Sequence, residues 1–300
     1  MARSYKGKKI LKNIKGILHK KIKLSFKFTI PFFIIVAAVL IFGNFTLCVS
    51  EYTYSSEKVP HGFDGYKIAQ VSDFHNTKNR FICDALCDSL IAENPDIIFI
   101  TGDFIDANKT DTDYSLEYAA RFCEIAPCYF ITGNHEINYS ITHNDDYLRY
   151  INGLRQCGVC VLESETAELK NGNDVIYLSG IDDLYKRGYP LADSADYLCS
   201  LTETGDSLNI LLSHQPQQID VYSEHGFDLV FSGHAHGGQV RLFGKGLYAP
   251  NQGYFPKYTS GMNTAGNTTY IISRGIGNSI IPVRVFDRPE LVYCTLKMKG

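Results

Sequence analysis

Residues 66–75 read YKIAQVSDFH: a short apolar run that breaks directly into an aspartate, with a histidine two places on. A run of this length bounded by polar residues is the pattern of a strand buried on both faces. The pattern recurs four times downstream, each time ending in metal-ligand chemistry. Ile97–Thr101 (IIFIT) runs into Gly102-Asp103, and Tyr129–Thr132 (YFIT) into Gly133-Asn134-His135-Glu136. Asn209–Ser213 (NILLS) runs into His214, and Leu229–Ser232 (LVFS) into Gly233-His234-Ala235-His236. Between the first two runs, Arg80–Glu93 places Ile82, Leu86, Leu90 and Ile91 at helical spacing, and Asp145–Gln156 predicts a second helix. Glu165–Leu169 and Val175–Gly180, joined across Asn171-Gly172, predict a hairpin, because Asn-Gly supplies the positive φ that a tight turn needs. Thr269–Ser273 and Glu290–Lys297 add strands in the tail. Alternating strands and helices make the fold class α/β.

In open α/β sheets, ligands bind outside the carboxyl ends of the strands, so the five polar stretches are expected to converge on one sheet edge. The pairs Asp73/His75 and His234/His236 are each separated by one residue, which in extended backbone turns both side chains to one side. The adjacent glycines allow sharp turns and close approach to an ion. Carboxylate, amide oxygen and imidazole together suit Mn²⁺, Fe²⁺ or Zn²⁺, and the absence of thiolate argues against a closed structural zinc site. Two such ions beside Asp73 and Asp103 leave net positive charge for an anionic phosphate. Asp106, Asp182 and Asp183 read either as carboxylates beside the ligands or the substrate pocket or, the favoured reading, as solvated loop acids. Arg241 and Arg274 read either as phosphate clamps or as surface ion pairs.

The constellation D-x-H, G-D, G-N-H-E, a lone H after a strand and G-H-A-H resembles the calcineurin-like metallophosphoesterase superfamily over about Lys67–Leu242. GHAHGGQVRL (233–242), GLYAPNQGYFPKY (246–258) and ISRGIGNSIIPVRVFDRPE (272–290) extend the resemblance to its exported or membrane-anchored bacterial branch, the YkuE/YaeI-like phosphodiesterases. The resemblance implies a sandwich of two mixed β-sheets flanked by helices. It also implies two divalent ions as cofactors, one held by Asp73, His75 and His236, the other by Asn134, His214 and His234, with Asp103 as the bridge. His135 would meet the substrate phosphate and protonate the leaving oxygen, and a metal-bridging hydroxide would be the nucleophile. Asn76 departs from many relatives at a position that is not a ligand. The substrate class implied is a phosphodiester or phosphoanhydride, lipid-linked or from the cell envelope. A phosphomonoesterase or protein phosphatase, a UDP-2,3-diacylglucosamine pyrophosphatase-like enzyme and a catalytically silent metal-binding module stand as alternatives.

Outside this body the chain is of another character. Residues 1–27 hold ten Lys or Arg and no acid, leaving 19 basic against 32 acidic residues for the rest of a 300-residue chain of net charge −3. Phe28–Val49 carries no charge and is long enough to span the ~30 Å hydrocarbon core of a bilayer as one helix. The expected organisation is a basic cytoplasmic arm (1–27), a transmembrane helix (28–49), a linker (50–63) and a catalytic domain (64–300). Lys and Arg are retained on the cytoplasmic side, so the catalytic domain is expected outside. No nucleic-acid partner is expected. The nine cysteines form no compact disulfide framework, and Cys157-Gly-Val-Cys160 has no second pair near it in sequence.

Overall fold

The structure is a computed structural model that describes residues 26–183, 205, 207–278 and 282–300. The apolar run forms helix α1 (Phe26–Phe45), long and apolar enough to cross a membrane by length and composition. The chain divides after Phe42 into two compact units. The second, from Gly43 onward, holds every strand and the helices that pack on them.

The five apolar runs form β2 (Lys67–Val71), β3 (Ile97–Thr101), β4 (Cys128–Ile131), β8 (Asn209–Ser213) and β9 (Leu229–Ser232). In the first sheet β2, β3, β4 and the short β5 (Cys160–Val161) run parallel in that order. Strand β16 (Glu290–Met298) pairs antiparallel with β2, and β1 (Cys48–Ser56) lies parallel on its outer side. The second sheet has the order β14 (Gly261–Ala265), β15 (Thr268–Ile272), β9, β8, β7 (Asp174–Ile181), β6 (Glu165–Asn171), parallel in its middle and antiparallel at both ends. Between β9 and β14 the chain makes two small antiparallel pairs, β10 (Arg241–Leu242) with β11 (Lys245–Gly246) and β12 (Tyr248–Ala249) with β13 (Gly253–Tyr254).

Both faces of the central strands are apolar because both are covered. On β2, Ile68 points between the sheets while Ala69 and Val71 point outward. Ile68, Phe99 and Ile131 of the first sheet meet Leu178, Ile210, Phe231 and Ile271 of the second, with the Phe99 and Phe231 rings 5.3 Å apart. The outer face of the first sheet is packed by α2 (Arg80–Glu93), α3 (Thr112–Cys123) and α5 (Asn144–Gln156), through residues such as Leu86, Phe122 and Ile151. Ile219 and Tyr222 of α6 (Ile219–Glu224) cover the second. Each such fully buried side chain contributes roughly 1.5–3 kcal/mol from area removed from water. The expected sandwich of two mixed sheets flanked by helices is therefore the architecture.

Three local expectations change. Residues 50–63, read as a linker, hold most of β1, whose nine residues pair along β16 before a single 3₁₀ turn at His61–Phe63. The polar alternation CVSEYTYSS conceals the strand, since only a partner some 240 residues away completes it. The apolar helix correspondingly ends at Phe45, and Cys48 and Val49 belong to the sheet. The β6–β7 turn falls on Gly172-Asn173, one residue later than the Asn-Gly reading, with Gly172 at φ +61°. The eight cysteines among the described residues are free, those of the CxxC included.

Candidate active site

The loops that leave β2, β3, β4, β8 and β9 bring their polar residues to one place. After β2 the chain does not continue extended. Asp73, His75 and Asn76 lie at φ +51°, +48° and +50°, Asp103 at +50°, and His234 and His236 at +65° and +45°. The expected alternation of an extended segment is thus replaced by left-handed turns that fold each crest back on itself. Side chains rarely adopt this region, and Asp, Asn and His tolerate it better than most. Backbone bonds hold the turns: Asp73 N–H to the Gly102 carbonyl (3.0 Å), His75 N–H to the Asp103 carbonyl (3.0 Å) and Gly277 N–H to the Asp73 carbonyl (2.7 Å). A Cβ on Gly133 would overlap the Asp103 carboxylate, and one on Gly233 would overlap Ser72 and Asp73. Glycine at these two positions is a requirement of close approach.

Two fully buried donor clusters result, and a third grouping, His75, Asp103 and His135, overlaps both. Asp73, His75 and His236 form one: His236 Nε2 is 3.2 Å from Asp73 Oδ1 and 3.1 Å from His75 Nε2. Asp103, His214 and His234 form the other, with His214 Nε2 3.1 Å from Asp103 Oδ2. The same Asp103 Oδ2 lies 3.7 Å from His75 Nε2, so this carboxylate stands between the clusters. All six side chains are buried. The His214 Nδ1–H donates to the Thr101 carbonyl at 2.8 Å, which turns Nε2 toward a carboxylate oxygen; against the effect of burial, the charge of Asp103 and the bond to it raise this histidine well above its usual range. Two acceptors at that distance need a proton or a cation between them. Buried Asn134 Oδ1 and His75 Nδ1 have no hydrogen-bond partner, a costly state that a ligated cation relieves at Asn134. Residue types, spacing and the orphaned Asn134 oxygen together fit a pair of divalent ions.

The second row of contacts is as specific. Asp73 accepts from His234 N–H (3.0 and 3.1 Å) and from the Ser72 hydroxyl (2.6 Å). Glu136, at the start of α4 (Asn134–Thr142), accepts from the N–H groups of Asp103, Ile105 and Gly133 at 2.8–3.0 Å, tying the β3 and β4 loops together. His135 N–H donates to Asp103 Oδ1 at 2.8 Å, and its Nδ1 lies 3.4 Å from Asp106 Oδ1. His135 borders an open cavity of about 350 Å³ with Asp103, Asn134, Asn108, Asn138 and Asn251. Behind the site, buried Arg284 places Nη2 3.3 Å from His236 Nδ1.

Among the protein's own charges, burial works against ionisation of Asp73 and Asp103, yet His236 beside the first and His214 beside the second hold both below the usual carboxylate range. Burial pushes His75 and His234 down to about 3. His135 goes the other way: despite burial, Asp103 and the hydrogen bond to Asp106 raise it to about 9. Asp106 in turn is held near 2, first by that bond to His135. Burial and the neighbouring Asp103 push Glu136 up to about 7, against backbone donors that favour its charged form.

A profile of the calcineurin-like phosphoesterase family matches residues 66–238. The chain belongs to the calcineurin-like phosphoesterases. Over 267 residues it is 31% identical to the Bacillus subtilis metallophosphoesterase YkuE, covering 83% of this chain and 85% of that one. It is 27% identical over 243 residues to the Escherichia coli phosphodiesterase YaeI, covering 77% and 82%. It is also 27% identical over 288 residues to a Danio rerio transmembrane protein with a metallophosphoesterase domain, covering 91% of this chain and 63% of that one. As a calcineurin-like phosphoesterase it is a metal-dependent enzyme acting on phosphate esters.

Against this family background the structure sorts the remaining candidates. Asp106, read from sequence as a solvated acid, stands against His135; its place three residues after Asp103 on the same turning loop was the available signal. Asp182 accepts from the Thr132 hydroxyl and Asp183 from the Gln215 amide, so both tie loops together outside the cavity. Arg241 donates to the Gly237 carbonyl and Arg274 to Glu290, and neither lines the cavity. Asn76, the departure from the family pattern, is occupied by Ser115, Asp106 N–H and the Asp111 carbonyl, an anchor for the Asp106 loop. Asn251, whose Nδ2 lies 3.3 Å from His234 Nε2, carried no signal, since the loop that delivers it has no strand-like pattern.

Proposed function

We propose that this chain is a membrane-anchored, dinuclear-metal-dependent phosphohydrolase that cleaves a phosphodiester or phosphoanhydride. The observation that carries the reading is the meeting of the two donor clusters at Asp103, with Asn134 Oδ1 buried beside them without a partner. Asp73, His75 and His236 would hold one ion, Asn134, His214 and His234 the second, and Asp103 both. Bound there, a divalent pair supplies polarisation of the phosphoryl oxygens and an acidified water.

The chain's own groups supply the rest. His135, kept protonated by Asp103 and Asp106, faces the cavity and donates to the departing oxygen. The Ala107 N–H, which donates to His135 Nδ1 at 3.0 Å, and Asp106, 3.4 Å from the same nitrogen, hold the ring in place. The cavity wall carries the amides of Asn108, Asn138 and Asn251 and, among the described residues, no Lys or Arg. Neutral donors suit the single negative charge of a diester better than the double charge of a monoester, and the name of the Escherichia coli relative points the same way. The ten basic residues ahead of α1 favour a cytoplasmic N-terminus and a catalytic domain outside, where envelope or lipid-linked phosphate esters are the accessible substrates.

The test is the full-length chain, stripped with a chelator and re-supplied with Mn²⁺, acting on bis(4-nitrophenyl) phosphate and on 4-nitrophenyl phosphate, with D103N alongside. The expected result is metal-dependent cleavage that favours the diester and disappears in D103N. Preference for the monoester would replace the reading with a phosphomonoesterase. Binding of metal without hydrolysis of either ester would replace it with a binding module. A reporter fused at the C-terminus tests the topology, and cytoplasmic activity of that reporter would overturn it.

A further inference from the structure

Between Asp228 and Asp287 the chain has no acidic residue, although it holds 32 elsewhere; of the five bases in the stretch, Arg274 pairs with Glu290, Arg284 is buried beside Asp287 and Arg241 donates to the Gly237 carbonyl, while Lys245 and Lys257 are exposed. The stretch also carries three phenylalanines that are both exposed and left-handed. Phe243, Phe255 and Phe286 have φ of +52°, +56° and +54° and relative exposures of 105%, 77% and 61%. For a bulky side chain this backbone region is a genuine outlier. Nothing in the core rewards it here, since each ring points into solvent. Leu242, Tyr254 and Val283 are exposed beside them, and Lys245 and Lys257 stand within two residues of Phe243 and Phe255.

Backbone pairing links the segments that carry the three tips. Arg241 N–H donates to the Val285 carbonyl at 3.0 Å, Leu247 N–H to the Val240 carbonyl at 2.8 Å, and Phe255 N–H to the Leu247 carbonyl at 2.9 Å. The turn between β12 and β13 supplies Pro250 and Asn251 to the rim of the catalytic cavity. The loop bearing Phe286 is in turn fixed to the point where the chain leaves its apolar run. Asn44 Nδ2 donates to the Arg284 carbonyl at 2.9 Å, and Arg284 N–H donates to Asn44 Oδ1 at 2.8 Å. Next to it, Asn79 donates to the Asn44 carbonyl, and exposed Phe81 packs on Phe45.

We propose that this face is a second membrane contact, in which Phe243, Phe255 and Phe286 enter the interfacial region of an anionic bilayer with Lys245 and Lys257 against the lipid phosphates. Exposed aromatic tips with flanking lysines match the two layers of that interface, acyl boundary and headgroup. Chain connectivity supplies the reason for a bilayer as occupant: an apolar run that ends at Phe45 leaves the Arg284 loop a residue away from it. The docked face would set the mouth of the catalytic cavity at headgroup level, where a lipid phosphodiester presents its phosphate. This deepens the anchored-phosphohydrolase reading and rests on it.

The chain has no tryptophan, so one introduced residue reports alone. F243W, F255W and F286W are each made in the full chain and reconstituted in vesicles of phosphatidylglycerol with dibrominated phosphatidylcholine. N173W, at the β6–β7 turn and the strand end remote from the site, serves as control. The expected result is blue-shifted emission, quenched by the brominated lipid, for the three rim variants and unquenched, unshifted emission for N173W. Vesicle flotation is read in parallel. A chain that fails to float overturns the anchoring reading and the proposal with it. A chain that floats with rim emission like that of N173W overturns the proposal alone. A blue shift without bromine quenching assigns the face to a protein or a second copy, and also overturns it. Quenching that persists when diester hydrolysis is absent supports the docking face while removing the catalytic reading.

Discussion

His135 is the residue whose chemistry depends most on its neighbours. Its side chain is largely buried, and Asp103 and Asp106 raise it to about 9 from an ordinary value of 6.5. In the chelated protein its imidazole should titrate near that value by NMR, and D106N should move the titration downward. The sign for stability follows from the raised folded value. The contribution is fully present below about pH 6.5, where both states bind the proton, and is lost as pH rises through about 9. Urea midpoints on the two sides of that window, compared between the chelated wild type and D106N, check it; a D106N chain with the same pH dependence would remove Asp106 as the cause. For catalysis, H135N is expected to lower kcat on a diester by about 10²–10⁴ while metal content measured by elemental analysis stays at the wild-type value.

At the scale of elements, the crest loops carry the site through backbone that most residues avoid. G133A and G233A each push a methyl group into the carboxylate of Asp103 or Asp73. Overpacking of this kind costs about 1–3 kcal/mol, so thermal unfolding should fall in both variants and metal content with it. The three phenylalanine tips show the converse. F286N replaces a bulky side chain in the left-handed region by one that tolerates it, and should stabilise the fold by roughly 1 kcal/mol, read as a higher Tm. Strand β1 matters for a different reason. It covers the outer edge of β16 along nine residues and buries Tyr54. A chain cut after Ser56 exposes that edge, and size-exclusion chromatography should find it aggregated, whereas one beginning before Cys48 keeps the strand.

For the molecule as a whole, four histidines and two aspartates are buried not at one sheet edge, as the strand pattern suggested, but where the strand ends of both sheets meet, and they make folding depend on what neutralises them. Saturating metal at about one hundred times its Kd adds ~2.7 kcal/mol for a single site that only the folded chain offers. Scanning calorimetry with chelator and with Mn²⁺ should therefore show a clear upward shift of Tm on metal addition. An unchanged Tm would contradict the metal-centre reading of these clusters. Charge is divided just as unevenly along the chain, with a basic arm, an acidic body and, inside that body, an acid-free segment from 229 to 286.

The sequence by itself determined the strands that carry the site. Ile97–Thr101, Asn209–Ser213 and Leu229–Ser232 are continuous apolar runs, because their burial on both faces leaves a local signature, and Asp73, Asp103, Asn134, His214, His234 and His236 stand where such runs stop. Tertiary structure alone decided the rest. Strand β1 reads as polar chain until β16 closes on it. The left-handed turns at Asp73, Asp103 and His234 are held by bonds from other loops, to the Gly102 carbonyl, the Glu136 carboxylate and the Asp73 carboxylate. Asp106 comes to lie 3.4 Å from His135, and Arg241 to pair with Val285, only through contacts between segments far apart in sequence, and no local pattern records such a contact.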